Sequence, residues 1–276
     1  MKKFRYIASA LLLGALLPLT FASCGSSDDD EDKKDPTENK SDAPDELYVD
    51  IWSGSIREVI RMVKVEGGTF RMGNADGSYY ESPEHDVTLS DYYIGMFEVR
   101  QDEWELIMGG NPSYLTEGQR RLPVESVSWN DCQEFIKKLN EKTGLTFRLP
   151  TEAEWEFAAR GGTKSKGYLY SGSSTIGDVA WYEDNTEDTH TVGRLKANEL
   201  GLFDMTGNVE EWCQDWMGSY SASAQTNPTG PVTGTERVLR GGAANFAAKF
   251  CTTTFRTFAK PDQSGNFRGF RLAMSI

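Results

Sequence analysis

"RLPTEAEWEFAARGG", residues 148–162, carries a full set of helix start and stop signals. Pro150 stands just before Thr151, and Glu154 follows three residues later. Together they form a capping box, in which the threonine side chain accepts from a free backbone amide of the first turn. Gly161 and Gly162 supply a stop, since glycine tolerates the left-handed backbone that ends helices. The spacing predicts a helix between Thr151 and Gly161.

Upstream, "SVSWNDCQEFIKKLNEKTG", residues 126–144, predicts a longer helix of the same design. Ser128 caps it with Asp131 three residues on, and Gly144 ends it. Trp129, Cys132, Phe135, Ile136 and Leu139 recur at helical spacing, which makes Cys132 a core thiol. "RQDEWELIMG", residues 100–109, predicts a short helix with Trp104, Ile107 and Met108 on one face, stopped by Gly109-Gly110 and Asn111-Pro112. Before it, "MVKVEGGTFRMG", residues 62–73, alternates Val63, Val65 and then Phe70, Met72 around Gly67-Gly68. It reads as two strands joined at a glycine turn. "HDVTLSDYYIGMFEV", residues 85–99, continues as strand. After Gly162 the helical period fades, and turns and short strands are expected as far as Ile276.

The N-terminus is of another kind. Lys2, Lys3 and Arg5 precede an apolar run from Tyr6 to Leu19, too short for a spanning helix. "FASC" then puts small residues before Cys24. This resembles a bacterial lipobox, which implies a signal peptide over 1–23 and lipidation of Cys24. Residues 25–46 hold 10 acidic and 3 basic residues and no large apolar one, so residues 24–46 are expected to be a disordered acidic tether. Such a run after a lipidated cysteine resembles the export signal of Bacteroidetes surface lipoproteins. It implies an outer-membrane, cell-surface location and a membrane partner reached through the lipid anchor. The chain of 276 residues carries a net charge of −13, which argues against nucleic acid as a partner.

Six stretches carry a resemblance to one family: "VEGGTFRMG", "LPVESVSWNDCQEF", "FRLPTEAEWEFAARGG", "GLFDMTGNVEEW", "RVLRGG" and "GFRLA". They resemble the formylglycine-generating enzyme, or sulfatase-modifying factor, domain across residues 60–276, and the domain is placed at 47–276. The resemblance implies an α+β fold, the complex FGE-sulfatase variant of the C-type lectin fold, with little regular secondary structure.

The family's enzymes hold copper(I) between two cysteines in a pattern of Gly-Gly-Ser, two residues, Cys, four residues, Cys. A soft metal favours the paired thiolates. Laid on "GGAANFAAKFC", residues 241–251, the second cysteine falls on Cys251, the first on Phe246 and the serine on Ala243. A pocket tryptophan falls on Glu210. Copper is therefore not expected, and Cys251 reads as a structural thiol rather than a catalytic one, as does Cys213. His85 and His190 stand in polar loops and are expected at the surface.

"FDMTGNVEEW", residues 203–212, offers hard oxygen donors in one tight segment. The resemblance implies calcium held by Asp204, Gly207, Val209 and Glu211, the middle two through backbone carbonyls. Asp178 is a further guess at a second site.

Two functions remain open at this level. One is an envelope lipoprotein using a degenerate domain to bind a ligand or an envelope protein, with Asn245, Phe246, Lys249 and Phe255 on the binding surface. The other is a formylglycine-generating oxidase with altered ligands.

Overall fold

A computed structural model describes residues 43–116 and 121–276. The signal-like segment, Cys24 and most of the acidic run lie outside the described residues. The body from Asp45 to Ile276 forms one compact unit. In chain order its elements are β1 (Glu46–Ser53), β2 (Ile56–Val65), β3 (Gly68–Met72), β4 (His85–Leu89), β5 (Tyr92–Gly95), α1 (Gln101–Met108), α2 (Trp129–Thr143), β6 (Phe147–Arg148), α3 (Glu152–Ala159), β7 (Glu210–Trp216), β8 (Gln225–Thr226), β9 (Arg237–Arg240), β10 (Arg256–Ala259), β11 (Arg268–Gly269) and β12 (Ala273–Ser275). Few helices, many short strands and long irregular connections make this the α+β architecture expected.

The strands form three sheets, ordered β1-β2-β5-β12-β6, β10-β9-β7-β11 and β3-β4-β8. The glycine turn does join two strands, but β2 and β3 belong to different sheets, so residues 62–73 are a corner and not a hairpin. Gly67 explains the corner. A Cβ there would lie 2.3 Å from the Leu89 carbonyl oxygen, so only glycine lets the chain cross so closely. β1 begins at Glu46, inside the run read as tether. Leu47, Val49 and Ile51 alternate with exposed Tyr48, Asp50 and Trp52, and this half-buried pattern pairs with β2 along its whole length.

The caps form as the sequence dictates. Ser128 accepts from the Asp131 amide at 3.2 Å, and Gly109 and Gly144 are left-handed C-caps. A cap of this kind contributes about 1 kcal/mol. The stripe on α2 buries Cys132, Phe135, Ile136 and Leu139 fully. Trp129 stays half-buried and donates its indole N–H to the Cys213 carbonyl at 3.0 Å.

All eight residues of α3 are buried. Trp155, Phe157, Ala158 and Ala159 enter a core with Val63, Met72, Leu89, Ile94 and Val238, drawn from all three sheets. The same helix buries three glutamates, which is affordable only because each meets a guanidinium. Glu152 pairs with Arg256 at 2.6 Å, Glu154 with Arg148 at 2.6 Å, and Glu156 with Arg240 and Arg160. The alternation Glu-Ala-Glu-Trp-Glu is thus a code for arginines arriving from β6, β9, β10 and the helix's own C-terminus.

Candidate functional site

The turn after β9 sets the geometry around Cys251. Gly242 has φ +69°, and a Cβ on it would sit 2.5 Å from the Cys251 sulfur, so the loop folds back directly over the thiol. Cys251 is fully buried. Its Sγ lies 3.9 Å from the carbonyl oxygens of Ala243 and Phe246. Burial pushes its pKa up to about 12, so it is a neutral thiol at physiological pH. Ala243 and Ala244 are fully buried beside it and offer no side-chain oxygen.

Phe246 puts an aromatic ring at the position that aligns with the family's first cysteine. Its half-buried ring packs edge-on to Phe250, with centroids 6.3 Å apart, and Phe250 meets Phe255 at 5.1 Å. Lys249 places its ammonium 4.8 Å over the Phe250 ring. Asn245, Lys249 and Phe250 are exposed, so the residues expected on a binding surface form one aromatic and cationic patch. At the family's tryptophan position, Glu210 is buried in an ion pair with Arg268 at 2.7 Å.

The 203–212 segment forms a second, buried centre. Asp204 and Asn208 adopt left-handed φ of 56° and 60°, and Gly207 reaches 77°, so the segment coils tightly. Glu211 is fully buried and takes two hydrogen bonds of 2.6 Å from Arg271, plus one of 2.7 Å from the Trp155 indole. Glu98, also buried, accepts from the Asn208 amide group at 2.6 Å and from the Val209 backbone at 3.1 Å. Burial, then the charges of Asp204 and Glu211, hold the Glu98 carboxyl well above its usual range. Burial likewise pushes Asp204 up to about 6. Three acidic side chains thus share one guanidinium.

That excess of acids over cations, with hard carboxylate and carbonyl oxygens, fits a hard divalent cation in donor type. The side chains alone do not form a cage: among the described residues no three His, Cys, Asp or Glu side chains converge on a metal position. Backbone carbonyls would have to complete the set, as expected for Gly207 and Val209. Asp178 stands apart, exposed and accepting from the Ser173 hydroxyl at 2.9 Å.

The histidines correct the sequence reading. His85 is not at the surface: it is 2% exposed, because β4 turns it inward against Tyr220, with ring centroids 5.0 Å apart. His190 is half-buried and stacks on Trp181 at 3.8 Å, and burial lowers its pKa. The sequence reading also missed Glu98 and Arg271. An acid inside "MFEV" and a basic residue inside "GFRLA", each amid apolar neighbours, are the signals that mark buried ionisable groups.

Residues 53–276 match the sulfatase-modifying factor enzyme 1-like domain, FGE-sulfatase. The chain is 36% identical over 232 residues to the chaperone protein LppX of Paenibacillus barcinonensis, covering 66% of this chain and 77% of that protein. It is 36% identical over 282 residues to the formylglycine-generating enzyme of Streptomyces coelicolor, covering 76% of this chain and 88% of the enzyme. Among solved structures it is similar to Treponema denticola variable protein 1, with a TM-score of 0.77 and 32% identity over 85% of this chain and 100% of that one. From the length of the match and the relatives at both levels, the chain belongs to the sulfatase-modifying factor enzyme 1-like (FGE-sulfatase) domain family.

Proposed function

We propose that this protein is a cell-envelope module that uses an FGE-sulfatase domain to bind a ligand or to scaffold a partner, without formylglycine chemistry. One observation carries the reading: the position of the first metal-binding cysteine is Phe246, whose ring joins Phe250 and Phe255 in a half-exposed patch. Cys251, left alone, is a buried neutral thiol. A single protonated sulfur makes a poor copper(I) platform. The patch instead has the composition of a recognition surface, with aromatic anchors beside one ammonium. Likeness to a variable protein and to a protein named as a chaperone is in keeping with a non-catalytic role.

Two further parts belong to this reading. Asp204 and Glu211, with the carbonyls of Gly207 and Val209, hold a structural calcium ion that offsets the charge beside Arg271. Cys24 carries the lipid that anchors the protein in the outer membrane at the cell surface, with no nucleic-acid partner.

The test of the central claim is direct. The purified body is given copper(I), oxygen and a sulfatase-type Cys-x-Pro-x-Arg peptide, and the peptide mass is followed. No conversion of cysteine to the aldehyde is expected. Phe246→Cys combined with Ala243→Ser should gain copper(I) affinity that the wild type lacks. Turnover by the wild type, abolished by Cys251→Ser, would establish the oxidase instead.

A further inference from the structure

A cavity of about 520 Å³ opens beside the N-terminus of α3, in the size range of small-molecule sites. It shares no lining residue with the Phe246 patch or the 204–211 segment. Its wall includes Glu152 and Ala153 of α3, Asp215 of β7, Arg256 of β10, and the buried Met72 and His85. Its mouth is the exposed loop around Ser221 and Thr229.

The charges on this wall are not balanced. Arg256 is spent: it gives Nε and Nη2 to the two oxygens of Glu152, at 2.7 and 2.6 Å, and Nη1 to the carbonyls of Tyr80 and Gly218. Tyr220 donates its hydroxyl to the same glutamate at 3.1 Å. Asp215 is 4% exposed and accepts one hydrogen bond, at Oδ2 from the Glu152 amide at 2.9 Å. It forms no salt bridge among the described residues. His85 Nδ1 lies 3.2 Å from the Pro83 carbonyl, which can only accept, so Nδ1 carries a proton. The wall therefore combines an arginine whose donors are all taken with a buried acid that accepts one hydrogen bond and has no ion-pair partner among the described residues.

Arg256 has no donor left for an anion, whereas an ammonium would supply the ion-pair partner that Asp215 lacks. We propose that this cavity is a binding site for a small organic cation bearing a primary ammonium, which Asp215 receives. The inference stands independently of the function proposed for the Phe246 patch.

Calorimetry at mildly alkaline pH tests it, using putrescine, lysine amide and glucosamine, each against its fully N-acetylated counterpart. At least one amine should bind about tenfold or more tightly than its acetylated form. Asp215→Asn keeps an oxygen for the Glu152 amide but removes the charge, and should erase that preference. Thr229→Trp, at the exposed mouth, should weaken binding of the same amine without lowering the melting temperature. Silence from all three amines at millimolar concentration, equal binding of amine and acetylated forms, or unchanged binding in Asp215→Asn would each overturn the assignment.

Discussion

Glu211 and Arg271 are both fully buried and meet through two parallel hydrogen bonds of 2.6 Å. The pair joins the coiled 203–212 segment to the chain's C-terminal stretch. Among the described residues it is also the only ion pair to a guanidinium in a centre that holds Glu98 and Asp204 as well. Removing the cation from such a group leaves buried charge without a partner, which is worse than removing both. Arg271→Met should therefore lower stability by about 3–5 kcal/mol in urea unfolding, whereas Glu211→Gln with Arg271→Met should recover part of the loss. Equal losses in the single and double variants would mean that packing, and not charge, dominates there.

Calcium is expected to act on the same centre. A ligand that binds only the folded state raises stability by mass action. A chelator should lower the melting temperature of the purified body, and added calcium should restore it. Asp204→Ala should remove the response while the protein stays folded. A melting temperature indifferent to both additions would leave the segment as a coil held by hydrogen bonds and Arg271 alone.

Asp215 sets a pH dependence of stability. Burial first, then the charge of Glu152, push it up to about 8, with Glu154 acting in the same direction and Arg256 against it. Its folded-state value is above the unfolded one, so the folded protein holds a proton that the unfolded chain releases. The associated stability is fully present below the unfolded value near 4 and is lost as pH rises towards 8. Asp204, pushed up to about 6, adds a smaller loss in the lower part of that window. Between about pH 5 and pH 8 the wild type should lose on the order of 4 kcal/mol more than Asp215→Asn. Parallel pH profiles for the two proteins would contradict this.

Anchoring is checked by fractionation. Cys24→Ala should move the protein from the membrane to the soluble fraction, since stable attachment requires more than one acyl chain on the modified terminus. Protease added to intact cells should degrade the wild type if the acidic run directs surface display. Membrane partition unchanged in the variant would dispose of the lipid anchor.

The three helices were legible because capping is local: Ser128 with Asp131, Thr151 with Glu154, and the glycines that follow each act within one or two turns. The two strands around Gly67-Gly68 were legible too, but their assignment to separate sheets was not, because a hairpin and a corner share the same turn chemistry. β1 escaped notice since its alternation starts at the end of an acidic run. The metal-like segment was visible in its donors, whereas Glu98 and Arg271 were not, because their partners come from distant parts of the chain. His85 was misplaced for a related reason: a histidine after Ser-Pro-Glu reads as loop, and only Tyr220, far downstream, gives it a buried neighbour.

The arginines that meet α3 have one more consequence. Arg240 and Arg256 stand at the two ends of the segment that carries Asn245, Phe246, Lys249 and Phe250, and each is clamped to a glutamate of the same helix. The segment is a handle bolted at both ends to a rigid plate. Its exposed middle can be rewritten, lengthened or grafted with foreign sequence while the bolts stay in place, because loop length costs little once the ends are fixed. For protein engineering this makes residues 245–250 the natural insertion point, and the Gly242–Cys251 contact the boundary beyond which redesign would reach the core.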